Sequence, residues 1–307
     1  MELKNIEFPN ADLNFIDDPY PALKDFREES PVFYDEKSDL IYLTKYEDVK
    51  SIQSSKKYVS AKPANLEGDR EWDSRKKAYD YFGRTEEFSL LNLEGSAHNE
   101  LRGLVAKAFS IRQVELLRPF IENKSREILD PLIGSNFDLI HDYAQPFSIA
   151  IMGELLGVPE SRYDDFLRWS NDIETKSLNE EYDVKNIVEE LLRWDSPLQF
   201  FQRWSLEDTE IRGYKIPKNA KVAILLGSAN RDDEIFKNAK EINFQRENLN
   251  HTSFGGGMHF CLGAHLARLE LEASFNNLFE YSWNLESKPE RTGAFGIRGF
   301  KKVMVSA

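Results

Sequence analysis

The segment Phe254-Gly-Gly-Gly-Met-His-Phe-Cys-Leu-Gly263 is the most informative part of this 307-residue chain. Its three successive glycines allow the backbone to turn tightly and to approach a flat ligand without a side-chain clash. Cys261, the only cysteine in the chain, follows that turn and precedes an apolar helical pattern that begins near Ala264. Free N–H groups and the dipole at a helix N-terminus favour an anionic sulfur. The segment therefore predicts a thiolate that binds a metal.

The absence of other ligands narrows the choice of metal. Zinc usually takes four protein ligands, and no second cysteine or Cys/His spacing accompanies Cys261. Iron held by a porphyrin needs one protein ligand, and a cysteine in that position pushes electron density onto the iron and favours O–O cleavage. The alternative interpretation is a glycine-rich turn with a structural, buried cysteine.

Five residues of this segment match, position for position, the haem-binding signature of the cytochrome P450 family: Phe254, Gly257, His259, Cys261 and Gly263. The resemblance also places Gly255, in the same loop, at the cofactor. It implies haem b with Cys261 as the axial ligand of its iron. It further implies a mainly α fold with small β-sheets (α+β), here a truncated cytochrome P450 fold.

Two further groups of residues resemble the same family, in the same order along the chain. Glu190-Leu-Leu-Arg193 resembles the Glu-x-x-Arg of the family's K helix, where two side chains on one helix face pair and have a structural role. The resemblance also implies a set of cationic side chains around the haem propionates, because burying these anions requires such partners. The set comprises His98, Arg102, Arg203 and His259.

Composition restricts the partners and the compartment. The formal net charge of −13, with no run of Lys and Arg, provides no positive surface for nucleic acid or for an anionic membrane. Residues 1–17 mix charged and apolar side chains, so they resemble neither a signal peptide nor a membrane span. A single cysteine excludes an intramolecular disulfide. We therefore expect a soluble, cytoplasmic protein with one haem-binding domain over residues 1–307.

Hydrophobic periodicity predicts a largely helical chain. Helices are expected at 19–27, 46–52, 101–109, 114–121, 128–132, 137–156, 162–173, 184–194 and 264–281. Strands are expected at 32–34, 40–43, 209–214 and 221–226. Residues 56–90 and 228–254 are expected to be mostly loop.

The chain no longer resembles the cytochrome P450 family between Trp169 and Val188, where it has only a short polar connector. The family carries several helices there, from about the F helix through the I helix. They cover the distal pocket, line the substrate site and supply an acid–alcohol pair that delivers protons. Glu174-Thr175 is the one candidate relic of that pair, but similar dipeptides occur elsewhere, as at Asp195-Ser196. No other catalytic residue is assigned.

Something must replace the missing cover, because deleting those helices would expose apolar flanks of their neighbours. One candidate is the loop from Tyr58 to Leu90, which is rich in aromatic residues. A second is another subunit, in a homodimer that covers the distal face. The third interpretation is an engineered deletion.

Three functions are compatible with these features. The first is a monooxygenase or peroxygenase that activates dioxygen or peroxide on a small organic substrate. Dioxygen would require a separate ferredoxin- or flavodoxin-type electron donor, because the chain has no flavin or iron–sulfur motif. The second is a haem-binding sensor, carrier or auxiliary protein without turnover. The third is a redox-neutral isomerase or dehydratase, which would need no electron donor.

Overall fold

The computed structural model describes residues 1–60, 89–156 and 183–307. The strands in these ranges are β1 Val32–Asp35, β2 Leu40–Leu43, β3 Tyr58–Val59, β4 Asn136–Asp138, β5 Phe200–Ser205, β6 Thr209–Ile211, β7 Tyr214–Ile216, β8 Lys221–Leu225, β9 Asn284–Leu285, β10 Glu290–Arg291, β11 Phe300–Lys302 and β12 Met304–Ser306. The α-helices are α1 Leu13–Asp17, α2 Tyr20–Glu29, α3 Tyr46–Ser54, α4 Gly95–Ala106, α5 Ile111–Leu116, α6 Arg118–Leu129, α7 Gln145–Leu156, α8 Val184–Trp194, α9 Leu226–Ala229 and α10 Ala264–Leu278. Leu139–Ala144 forms a π-helical segment, and Asp130–Leu132 and Gly257–His259 form 3₁₀ turns.

The largest sheet has the strand order β1-β2-β8-β5-β3. Strand β2 pairs with β8 in parallel, and the other three pairings are antiparallel. Smaller sheets are β4-β12-β9, the hairpin β6-β7 and the pair β10-β11. Strands that are distant in sequence therefore meet in the same sheet, and β5 carries one of the predicted site residues.

The large sheet is buried on both faces, which explains its nearly continuous apolar strands. On one face, Ile41 and Val222 belong to a core cluster that also includes helix α3. On the other face, Tyr42 and Ala223 belong to an aromatic cluster with Phe33. Because successive side chains of a strand point to opposite faces, the apolar run of β2 contributes to both clusters.

A helical layer forms the second part of the core. Helix α10 packs against α6 and α8, and α6 packs against α7. Helix α8 begins at the cap Asp183, whose side chain accepts from the N–H of Lys185, and it buries Ile187, Val188 and Leu192 at helical spacing. These contacts place the start of α10, and therefore the cysteine loop before it, beside α8.

The prediction of one helix over residues 137–156 is wrong at its N-terminal end. Residues Asn136–Asp138 form strand β4, which pairs with β12 near the C-terminus. The side chain of Asp138 then accepts from the N–H of Ile140 and begins the π-helical segment. The buried residues in this stretch recur at helical spacing, but pairing with a distant strand outweighs that local pattern.

Other boundaries also differ from the sequence prediction. Residues 209–216 form a hairpin, because Arg212 and Gly213 both have positive φ and turn the chain. Strand β5 and strands β9 to β12 were not predicted. Residues 128–132 continue helix α6 as a 3₁₀ turn, and the last helix ends at Leu278. The predicted helix at 162–173 and most of the predicted loop at 56–90 lie outside the described residues.

Most of the predicted elements are nevertheless confirmed. Helices α2, α3, α8 and α10 and strands β1, β2 and β8 form where periodicity places them. Residues 230–254 contain turns and bends after the short helix α9. Among the described residues, no helix is long and apolar enough to cross a membrane.

The structure places Glu190 and Arg193 in a buried ion pair at the centre of the helical layer. Two guanidinium nitrogens of Arg193 each donate to a Glu190 oxygen at 2.7 Å, and Arg246 also donates to Glu190. Arg193 further donates to three backbone carbonyls, those of Asn230, Ala239 and Glu241. Burial alone would raise the pKa of Glu190, but hydrogen bonds from Arg193 and a backbone N–H outweigh it and lower the pKa. The network therefore joins α8 to the irregular segment that follows α9.

We expect Glu190→Gln to lower the free energy of unfolding by about 3–5 kcal/mol, because it leaves two buried guanidinium groups without their anion. The measurement is urea unfolding of the haem-loaded protein, followed by circular dichroism. The matched control is Glu280→Gln, which removes an exposed carboxylate that pairs with Arg126 and should leave the unfolding midpoint unchanged. Equal midpoints for both variants would contradict a central role for the buried network.

Candidate functional site

Backbone hydrogen bonds close the cysteine loop. The N–H of Cys261 donates to the carbonyl of Phe254 at 2.8 Å, and the N–H of Phe260 donates to the carbonyl of Gly257 at 3.2 Å. Gly255 has φ +72°, a conformation that favours glycine. Cys261 is exposed and lies one turn ahead of helix α10. The loop therefore presents the sulfur next to a helix N-terminus.

Helix α3 approaches two glycines of the loop closely, and at one of them, Gly257, this approach requires glycine. Gly257 has φ +62°, and a Cβ there would lie 2.1 Å from the carbonyl oxygen of Gln53. A Cβ at Gly256 would lie 2.8 Å from the side-chain oxygen of Gln53. Gln53 is buried, and neither Oε1 nor Nε2 has a hydrogen-bond partner among the described residues. The loop therefore packs directly on the end of α3, and the Gln53 amide is a further polar group at the site.

Two of the predicted propionate ligands lie side by side. His98, on helix α4, is completely buried, and its ring centroid lies 4.7 Å from that of His259. Neither ring nitrogen of His98 has a hydrogen-bond partner within the described part of the chain. The Nε2 of His259 lies 3.0 Å from Oε1 of Glu94, which also accepts from the N–H of Ser60 at 2.6 Å. Glu94 thus joins three segments at the site.

The two predicted arginines reach the same region from different elements. Arg102, on α4, donates through Nη2 to the carbonyl of Phe260 at 2.6 Å, so it ties that helix to the cysteine loop. Arg203, on β5, is buried, and its Nη1 donates to the carbonyl of the adjacent Gln202 at 2.8 Å. The charge of Arg203 contributes to lowering the pKa of Glu94. The structure therefore gathers the predicted residues from a helix, a strand and a loop.

The electrostatics of this cluster fit an anionic ligand. Burial lowers the pKa of Arg203, and burial together with the charge of His259 lowers the pKa of His98. Burial alone would raise the pKa of Glu94, but hydrogen bonds from His259 and a backbone N–H outweigh it, and the pKa is lowered. Cationic groups that burial destabilises are stabilised by further negative charge, which haem propionates supply. The residues present therefore fit haem, whose iron Cys261 would ligate and whose propionates the cluster would hold.

Sequence reasoning missed Gln53 and Glu94. Both are ordinary polar residues near helix ends, and no motif marks them, so only their contacts in the fold identify them. Glu174-Thr175 lies outside the described residues, as do residues 61–88 of the loop considered as a distal cover. In the described part of the chain, no group of three or more His, Cys, Asp or Glu side chains is arranged to hold a metal ion.

Sequence comparisons identify the relatives of this chain. Residues 170–293 match the sequence profile of the family described as Cytochrome P450. The putative cytochrome P450 YjiB of Bacillus subtilis (strain 168) is 24% identical over 388 residues, which cover 93% of this chain and 94% of YjiB. The steroid C26-monooxygenase of Rhodococcus jostii (strain RHA1) is 41% identical over 124 residues, or 39% of this chain and 26% of that enzyme.

The alignment with YjiB also shows that the chain is shortened internally. It extends over 388 residues, 81 more than the 307 of this chain, although it reaches over nearly all of both proteins. An interior part of YjiB therefore has no counterpart here. This agrees with the family helices predicted to be missing.

Comparison with solved structures shows the fold. The structure of P450BioI in complex with an acyl carrier protein that carries hexadec-9Z-enoic acid has a TM-score of 0.84 at 23% identity, covering 95% of this chain and 99% of that chain. The structure of CalO2 has a TM-score of 0.85 at 19% identity, covering 98% of each chain. The predicted fold class, mainly α with small sheets, is therefore confirmed. The family profile over residues 170–293, the relatives that align over nearly the whole chain and the fold all agree with the resemblance to the cytochrome P450 family, and the chain is similar to its members but shorter.

Proposed function

We propose that this chain is a monooxygenase that binds haem b through the Cys261 thiolate and transfers oxygen from dioxygen or peroxide to a small organic substrate. The supporting observation is the contact between the buried ring of His98 and the half-buried ring of His259, which lies in the loop of the only cysteine. The ring nitrogens of His98 have no partner among the described residues, as expected of a group that awaits an anion. Nearby Arg203 adds a buried guanidinium group.

Haem, when bound, would supply the oxygen-activating chemistry, and a cysteine ligand favours O–O cleavage. The protein's own residues bind and orient it. Cys261 would ligate the iron, and the closed loop from Phe254 holds that residue ahead of helix α10. His98, Arg102, Arg203 and His259 would hold the propionates. Glu94 accepts a hydrogen bond from His259 and so orients that ring.

The oxidant decides which partners the enzyme needs. Dioxygen requires two electrons, which a ferredoxin- or flavodoxin-type donor would deliver, whereas peroxide arrives already reduced. The shortening favours peroxide, because the helices predicted to be absent carry the family's proton-delivery pair. A homodimer would cover the distal face that those helices cover in longer members. We place the protein in the cytoplasm, with no nucleic acid or membrane partner.

The alternative is a chain that binds haem without oxygenation. It would act as a sensor or auxiliary protein, or as a redox-neutral isomerase or dehydratase. The shortness of this chain relative to the YjiB alignment favours this alternative, because loss of the predicted proton-delivery region would affect dioxygen activation first. The complete haem-binding loop favours the monooxygenase, since an auxiliary protein that needed only the fold would have less use for Cys261.

We expect the purified protein to show the long-wavelength Soret band of a thiolate-ligated haem after reduction and addition of carbon monoxide. Cys261→Ser should lose that band while retaining the fold, because the hydroxyl is a poor substitute for the thiolate. The measurement is absorption of the ferric, reduced and carbon-monoxide forms of both proteins. Absence of haem in the unmodified protein would contradict the proposal. Haem that does not bind carbon monoxide would favour the non-oxygenating alternative.

We expect His98→Phe to release haem about tenfold faster than the unmodified protein, because it removes a buried propionate partner and fills the space with an apolar ring. The measurement is haem transfer to excess apomyoglobin. The control is His141→Phe, because His141 is exposed and bonds only to Gln145 among the described residues. Equal rates of haem release for the two variants would contradict the assignment of His98 as a propionate partner.

We expect isotopically labelled hydrogen peroxide to convert thioanisole to a sulfoxide that contains the label. One peroxide oxygen forms the new S–O bond as the O–O bond breaks, and the other oxygen leaves as water. Cys261→Ser and free haem serve as controls, because both lack a positioned thiolate. Sulfoxide yield no higher than with free haem would contradict peroxide-driven oxygenation.

A further inference from the structure

Helix α4 exposes large apolar side chains to solvent. Leu104 is 74% exposed, and Val105 beside it and Ile111 at the start of α5 are exposed as well. Within α4 only His98 is buried, whereas α8, a helix of similar length, buries five side chains. Three exposed large apolar side chains within eight residues of the chain are more than the isolated exposures that are common on protein surfaces. This face of α4 therefore has the composition of an interface.

Two opposite charges lie on the same face of α4, one on each side of Leu104. Glu100 precedes Leu104 by four residues and Lys107 follows it by three, so the three side chains form one row along the helix surface. Lys107 still has helical backbone angles, with φ −66° and ψ −41°. Both charged residues are exposed, and neither has an ion pair within the described part of the chain. The row therefore carries opposite charges at nearly equal distances from a central apolar residue.

This order of charges is complementary to itself. If two copies of α4 cross antiparallel about a two-fold axis near Leu104, Glu100 of one copy faces the partner's Lys107, and the same contact is repeated on the other side of the axis. A parallel crossing would instead bring like charges together. Gly103, beside Leu104, is exposed, and a Cβ there would meet no atom within 4 Å. The space over the middle of α4 is therefore open to a second helix.

We infer that α4 is the contact surface of a homodimer, in which two copies of the chain pack antiparallel through Leu104 and are oriented by two pairs of Glu100 and Lys107. The apolar side chains provide the affinity, because exposed ion pairs contribute little to it and mainly select the orientation. His98 and Arg102 lie on the other side of the helix, toward the cysteine loop, so the surface stays free when haem is bound. This inference rests on the homodimer of the proposed function, but not on thiolate ligation or oxygenation.

Charge reversal tests both the surface and its symmetry. Glu100→Lys and Lys107→Glu each replace two attractive contacts of the dimer by two repulsive ones, so each variant alone should raise the dissociation constant of the dimer about tenfold. The two variants change the net charge in opposite directions, so overall charge would not weaken the dimer in both. The double variant Glu100→Lys/Lys107→Glu should restore the dissociation constant. An equimolar mixture of the two single variants should also dimerise, because both contacts of the mixed dimer then join opposite charges. The measurement is sedimentation velocity of the haem-loaded protein over a range of concentrations.

Two further variants complete the experiment. Leu104→Asp places two carboxylates at the two-fold axis and should raise the dissociation constant about a hundredfold. Because Leu104 is exposed, this variant should fold, which circular dichroism checks. The control is Glu29→Lys, which makes the same charge change as Glu100→Lys at an exposed position of helix α2 and should leave the dissociation constant unchanged.

Two outcomes would overturn the inference. An unmodified protein that stays monomeric at every concentration would leave the exposed face of α4 to another segment of the same chain or to a different protein. A dimer that neither charge reversal nor Leu104→Asp weakens would have its interface elsewhere. Both outcomes are independent of the absorption spectra that test thiolate ligation, so the inferred interface and the proposed haem chemistry can each fail alone.

Discussion

The buried ion pair of Glu190 and Arg193 is the interaction on which the rest of the site depends. All five N–H donors of Arg193 are used, two on Glu190 and three on backbone carbonyls of the segment after helix α9. One of these carbonyls belongs to Asn230, whose side chain in turn contacts residues 252–253, directly ahead of the cysteine loop. Because an unpaired buried charge costs several kcal/mol, the irregular segment has one stable arrangement, and the loop position follows from it.

A second constraint on the site comes from the charges of the side chains around the cysteine loop. The loop, helix α4 and strand β5 bring His98, His259 and Arg203 together with the carboxylate of Glu94, and His98 and Arg203 are buried there. Burial works against the charged forms of His98 and Arg203, so the protein alone leaves this region short of negative charge. A cofactor with anionic groups would supply it. Binding of such a cofactor would therefore stabilise the folded arrangement of these side chains.

Local sequence was sufficient to predict a helix or strand wherever that element is specified by its own hydrophobic pattern. Helix α8 follows from apolar residues at helical spacing behind the cap Asp183, and strands β1 and β2 follow from short β-branched and aromatic runs. It failed where a distant partner decides the conformation. Residues 136–138 have a helical pattern but pair with β12, more than 160 residues away along the chain. Strand β5 lacks a clear alternation of apolar and polar residues, and it forms by pairing with β8 and β3.

The sequence by itself predicted the chemistry of the ligand, because a lone cysteine after three glycines and before a helix needs no long-range contact to be recognised. The glycine conformations and the helix dipole are local properties of a few consecutive residues. Only the tertiary structure decided which groups surround that cysteine. Gln53 meets the loop from helix α3, Glu94 bridges to His259, and Arg268 lies on the ring of Phe254. These contacts join segments far apart in the chain, and their geometry is set by packing and buried charge, which no local pattern encodes.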